Sequence, residues 1–102
     1  MSKKYSIRYL STAEKDINDI FEYIYLDNPS AANNLLDKFD NTISKLASHP
    51  FLGIVPNDTR LKRLGYRILI IDNYLVFYVI KVITIQVRRI IHGARKYKFL
   101  VK

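Results

Sequence analysis

Apolar and polar positions alternate from Lys4 to Leu10, with Tyr5, Ile7 and Tyr9 on one side and Ser6 and Arg8 on the other, so a half-buried strand opens the chain. The period then lengthens. Ser11 and Glu14 form a capping-box pattern, and Ala13, Ile17, Ile20, Phe21 and Ile24 recur at spacings of three and four, which predicts a helix to about Leu26. Asn28-Pro29-Ser30 stops this helix and restarts the chain, because the residue before a proline disfavours helical dihedrals while proline itself suits a first helical turn. A second helix carries Ala32, Leu35, Leu36, Phe39, Ile43 and Leu46 as its apolar stripe and ends before Pro50. The two helices form an antiparallel hairpin. Glu14, Asp16, Asp19 and Glu22 fall between the apolar positions of the first helix and read as a solvated surface with no catalytic role.

Phe51 to Thr59 carries Pro, Gly, Asn and Asp and reads as a surface loop. From Arg60 to Tyr97 three runs rich in Ile, Val, Leu, Tyr and Phe follow, divided at Asp72-Asn73 and near Lys81, which predicts three consecutive antiparallel strands. The expected fold is therefore one α+β domain spanning residues 1–102: a strand, an antiparallel helical hairpin and a three-stranded antiparallel meander.

Composition narrows the chemistry. The chain has no cysteine, so disulfides and thiolate catalysis are excluded. It opens on a charged, alternating segment instead of a signal peptide, and its longest apolar stretch, Ile68 to Ile91, is interrupted by Asp72, Asn73, Lys81, Arg88 and Arg89. A cytoplasmic protein with no membrane partner is expected. Its net charge of +8 is divided unevenly: residues 1–50 hold six Lys or Arg against seven Asp or Glu, and residues 51–102 hold eleven against two. A field of one sign on so small a domain attracts polyanions or acidic proteins.

The cations cluster at the two ends of the meander. Arg60, Lys62, Arg63 and Arg67 lead in, Arg88, Arg89, Arg95, Lys96 and Lys98 lead out, and a hairpin-connected sheet could gather them on one rim for a nucleic acid or protein target. Arg67 and Arg89 each share strand parity with an apolar row, so each projects a guanidinium that needs an anion or a carboxylate partner. No glycine-rich phosphate loop, zinc motif, nucleophile elbow or close carboxylate pair is present, and no metal or cofactor is expected. A metal-free ribonuclease could work with what remains. Asp58 and His92 are candidates for proton transfer, Arg67, Arg89 and Arg95 for phosphate stabilisation, and Tyr97 for stacking on a base. Asp58 in Pro-Asn-Asp-Thr also fits a turn, and His92 before Gly93 also fits a strand end.

The order of elements, together with HPFLG, GYRILIIDNYLVFY and VRRIIHGARKY, resembles the RelE/ParE superfamily of bacterial type II toxins over almost the whole chain. The resemblance implies a helical hairpin on an antiparallel sheet and a growth-arresting toxin held inactive by an acidic, partly disordered cognate antitoxin. It implies two alternative mechanisms. RelE-like and YoeB-like members cleave messenger RNA on the ribosome, whereas ParE-like members inhibit DNA gyrase and are not nucleases. Arg67, Asp58 and His92 stand at positions matching catalytic ones of the nucleases, which favours ribosome-dependent RNA cleavage. Against it, Leu75 occupies the place of the nucleases' phosphate-binding arginine, and NYLVFY followed by IIHGARKY is closer to ParE-like sequences, although Lys96 stands where those often carry an acid. A non-catalytic RNA-binding module on the same scaffold is the third reading.

Overall fold

The β-rich second half builds the frame on which everything else rests. The computed structural model describes residues 4–93, in the order β1 (Ser6–Tyr9), α1 (Ser11–Tyr25), α2 (Pro29–Ser44), a 3₁₀ turn (Lys45–Ala47), α3 (Thr59–Arg63), β2 (Tyr66–Ile71), β3 (Tyr74–Lys81) and β4 (Thr84–His92). Arg95, Lys96 and Lys98 of the basic set, and the stacking candidate Tyr97, lie outside the described residues. The meander expected from sequence is present: β2 pairs antiparallel with β3 and β3 with β4. Strand β1 joins β4 in parallel, giving the order β1-β4-β3-β2. A parallel neighbour needs a crossover, and the helical hairpin supplies one.

Both turns of the meander are two residues long, which suits tight hairpins. Asp72 takes the first at a φ of 53° and Val82 the second at 57°. Asp tolerates this left-handed region well; a β-branched valine is strained there. Beyond the second turn, β4 carries a bulge opposite Phe77 and Tyr78, so that Arg88 is the extra residue between the pairs Tyr78↔Val87 and Phe77↔Arg89.

Each face of the sheet has its own apolar cluster. Helices α1 and α2 cover one face, where Leu35, Phe39, Ile43 and Leu46 meet Leu69, Ile71, Val76, Tyr78, Ile85, Val87 and Ile90. On the opposite face Leu61 of α3 packs with Tyr66, Ile68, Phe77, Val79 and Ile91. The strand alternation seen in sequence sorts these two sets, because successive side chains point to opposite sides of the pleat. Two local expectations are corrected. Helix α1 starts at Ser11 itself with Leu10 as its cap and no side-chain cap bond, so the capping box does not form. Residues 59–63, taken as loop and strand lead-in, are a short helix, because Asp58 accepts the Arg60 and Leu61 amides and caps it.

Three tyrosines tie this packing to pH. Burial, with Asp40 adding to it, pushes the Tyr9 hydroxyl up to about 12, and burial also raises Tyr74 and Tyr78 above the ordinary tyrosine value. Their protons are held more tightly in the folded chain than in the unfolded one. The associated stability is therefore intact below the unfolded value of about 10 and is lost as pH rises through the folded values. Urea unfolding midpoints should be flat from pH 7 to 9 and fall between 10 and 12, and Tyr9→Phe should flatten that fall.

Candidate functional site

The loop between α2 and α3 is fastened to the sheet by one buried phenol. Tyr78 donates its hydroxyl hydrogen to the Pro50 carbonyl at 2.8 Å and accepts the Gly53 N–H at 2.9 Å. Beside it, Arg67 Nη1 donates to the Gly53 carbonyl at 2.6 Å and, more weakly, to that of Phe51 at 3.4 Å, with its guanidinium 5.0 Å from the centre of the Phe51 ring. Ile54 then exchanges both backbone hydrogen bonds with Ile68 at 2.9 and 2.8 Å, adding a one-residue bridge along the outer edge of β2. Arg67 thus meets the partner requirement inferred from its parity, but the partner is backbone carbonyl and an aromatic face.

Asp58 is placed by the same loop. Its Oδ1 accepts the Arg60 and Leu61 amides at 2.9 and 3.2 Å, a helix cap of the kind that contributes about 1 kcal/mol. The turn reading of Asp58 describes this geometry. Gly65, at a φ of 83°, ends α3 as the left-handed residue a helix terminus favours. Between them Arg60, Lys62 and Arg63 stand exposed, three cations on one short helix.

The arginines of β4 are engaged differently again. Arg89 meets Asp16 of α1 in a two-pronged ion pair, Nε to Oδ2 at 2.7 Å and Nη2 to Oδ1 at 3.1 Å, and Asp16 Oδ2 also accepts the Ile90 N–H at 2.9 Å. The Asp16 hydrogen bond holds the Arg89 guanidinium further above its ordinary value. Strand β1 has ended by this point, and α1 takes over the edge of β4: Thr12 Oγ1 donates to the Arg88 carbonyl at 2.8 Å and Asp16 accepts from Ile90. Asp16 is therefore not the solvated surface residue expected from sequence. It lies three residues after Ala13 and four before Ile20, on the buried stripe of the helix, and that spacing is the signal which identifies it. Arg88, the bulged residue, turns to the opposite face, with its guanidinium 5.5 Å from the centre of the Tyr66 ring and Nη2 3.1 Å from Gln86 Oε1.

His92 stands exposed at the end of β4, edge-on to Tyr74 with ring centres 5.4 Å apart. It borders a groove of about 470 Å³ with Asp16, Asp19, Ile20, Tyr23, Tyr74 and Ile90. The register separates it from Arg67. Arg67 faces Tyr78 and His92 faces Tyr74, so the two lie about 13 Å apart along the strands and about 10 Å across them. Asp58 caps α3, whose Leu61 packs on the sheet face opposite to the one that carries Arg67 and the His92 groove. Asp58, Arg67 and His92 do not converge on one reacting atom. Arg67, Arg88 and Arg89 likewise point to a loop, a ring and a helix, and do not share a rim. Among the described residues no three His, Asp or Glu side chains come together as a metal ion would need, and no helix is long and apolar enough to cross a membrane.

Comparison with curated proteins gives no match. Solved structures are similar in fold. A chain of a chromosomal ParDE toxin-antitoxin system from P. aeruginosa superposes with a TM-score of 0.73 at 18% identity, over 89% of this chain and 98% of that one. A chain of the RelBE2 toxin-antitoxin complex from Mycobacterium tuberculosis gives 0.60 at 18% identity, over 87% and 98%. The family described as the ParE toxin of the type II toxin-antitoxin system parDE matches residues 7–97, which takes in β1 from its second residue and every element from α1 to β4. The chain belongs to the ParE toxin family of type II toxin-antitoxin systems.

Proposed function

We propose that this toxin arrests growth by binding a protein target, DNA gyrase, and not by cutting messenger RNA, and that a cognate antitoxin silences it. The separation of Asp58, Arg67 and His92 carries this reading. General acid-base cleavage of RNA needs a base, an acid and a phosphate-binding cation within hydrogen-bonding reach of one phosphate. Here the carboxylate caps a helix, the guanidinium latches a loop, and the imidazole stands two strands away from that guanidinium. Leu75, at the place of the nucleases' arginine, packs into the apolar cluster of α3, which agrees with the same reading. Exposed Arg60, Lys62 and Arg63 fit an acidic protein surface as well as they fit phosphate.

Two assays on the antitoxin-free toxin test this. Gyrase supercoiling should be inhibited, while primer extension on a reporter message in a purified translation system should show no ribosome-dependent cuts. His92→Ala should leave gyrase inhibition unchanged. Cuts within codons that vanish with His92→Ala would overturn the proposal in favour of ribosome-dependent cleavage by the RelE-like route.

A further inference from the structure

The turn between β3 and β4 pairs a demanding backbone with a residue ill suited to it. Val82 holds a φ of 57°, a left-handed position that glycine, asparagine or aspartate ordinarily fills in a two-residue hairpin. The other hairpin of the sheet follows that rule, with Asp72 at a φ of 53°. A β-branched side chain strains the chain there, and no packing offsets the strain, since Val82 is 91% exposed. Ile83 beside it is 52% exposed. Strain that the fold itself does not use is a mark of a functional position.

Cations surround this apolar tip. Lys81, which precedes Val82, is exposed. The Ser6 N–H donates to the Ile83 carbonyl at 2.9 Å, which sets the start of β1 and exposed Lys4 beside the turn. The Tyr5 N–H donates to the Ala47 carbonyl at 2.8 Å, which brings the 3₁₀ turn with exposed Lys45 to the same end. None of β1, the 3₁₀ turn, β3 and β4 carries an Asp or Glu. Helix α3 is joined to this end as well: it leads through Gly65 into Tyr66, which pairs with Val79, three residues before Val82. A second copy of the chain would bring the same cations against these, so self-pairing through the turn is opposed by like charge. Two side chains also offer little area for a lipid surface, where binding scales with the apolar area buried.

We infer that the Val82–Ile83 turn is the anchor by which the toxin engages its protein target. The two side chains enter an apolar pocket whose border carries Asp or Glu, and Lys4, Lys45 and Lys81 meet those carboxylates. A two-residue turn held between paired strands presents its side chains in a fixed geometry, so little backbone freedom is lost on binding. This rests on the reading of gyrase as the target and adds to it the residues that make the contact and the chemistry of the surface they meet.

The test uses the full-length, antitoxin-free toxin with purified gyrase and relaxed plasmid. Val82→Asn suits the left-handed turn and removes the apolar side chain without adding charge. It should raise the melting temperature of the free toxin by about 4 °C, because strain is relieved. It should nevertheless raise the toxin concentration for half-inhibition of supercoiling roughly 30-fold, as loss of an interface anchor does. Ile83→Ser should weaken inhibition about 10-fold with the melting temperature close to that of the parent. Inhibition by both variants at the parent's concentration would overturn the inference and leave the gyrase reading standing. Unchanged inhibition with weakened binding to the protein encoded by the adjoining gene would assign the turn to the antitoxin and overturn it also. So would sedimentation of the parent, but not of Val82→Asn, with vesicles of phosphatidylcholine and phosphatidylglycerol, which would assign the turn to a lipid surface. A parent toxin that leaves supercoiling untouched would overturn both the inference and the gyrase reading.

Discussion

Gly53→Ala is expected to cost roughly 3 kcal/mol or more, a large share of the stability of a domain this size. A Cβ on Gly53 would sit 2.7 Å from Tyr78 Cε1, 2.8 Å from the Tyr78 hydroxyl and 2.9 Å from the Ile68 carbonyl oxygen. None of these can yield. Tyr78 is fully buried and its hydroxyl is held at both ends, by Pro50 and Gly53, while the Ile68 carbonyl is bonded to the Ile54 amide. Relief would require the loop to lift from the sheet, which breaks the Tyr78 and Arg67 hydrogen bonds together. Gly65→Ala provides the contrast: space around Gly65 is open, and the cost is confined to the strain of a φ of 83°, about 1 kcal/mol. Urea unfolding followed by far-ultraviolet circular dichroism ranks the two. Equal midpoints for Gly53→Ala and Gly65→Ala would show that Tyr78 does not clamp the loop in the way described.

The same loop shows where sequence reasoning reaches its limit. Period-two and period-3.6 patterns identify β1, both long helices and the three-stranded meander, because each is a local pattern of side chains facing one core. The parallel docking of β1 on β4 is not local. It depends on how the helical hairpin folds back, and neither strand carries a residue that announces its neighbour. Helix α3 is missed because five residues, TRLKR, show only one apolar position, although Asp58 ahead of them is a cap signal. The role of Arg67 is half legible: its parity indicates a guanidinium in need of a partner, but that partner is the Gly53 carbonyl, supplied by a loop whose path depends on Tyr78. The sequence offers Asp58 both as a candidate for proton transfer and as a turn residue, and the amides of Arg60 and Leu61, which make it a helix cap, become visible only in the fold.

What these placements share is that charges expected to face a ligand are occupied within the chain. Asp58, Arg67 and Arg89 are bound to backbone, loop and helix, which leaves Arg60, Lys62 and Arg63 as exposed cations on a helix joined to the end of the sheet that carries the apolar Val82 turn. A surface of that composition suits protein recognition: apolar contact supplies affinity, and the rim charges supply steering and orientation.

Asp16→Ala should be the second most damaging substitution, at roughly 2–4 kcal/mol, because it removes an acceptor that two donors share. The carboxylate and the guanidinium are 15% and 25% exposed, so water can only partly replace the lost contacts of Arg89, and the Ile90 N–H loses its acceptor where β1 no longer runs beside β4. Asp16→Asn keeps an oxygen for the Ile90 amide and gives up the charge, so its cost should be about half. In a double-mutant cycle with Arg89→Ala, the double variant should be less destabilised than the sum of the singles, since both changes remove the same ion pair. The cycle also separates two roles for Arg89. If it serves to fasten α1 to β4, then at a temperature where Asp16→Ala is still folded, gyrase inhibition and antitoxin binding should match the parent. Loss of either function from a folded Asp16→Ala protein, with additive stabilities in the cycle, would instead make Arg89 a contact for the target, oriented by Asp16 and not consumed by it.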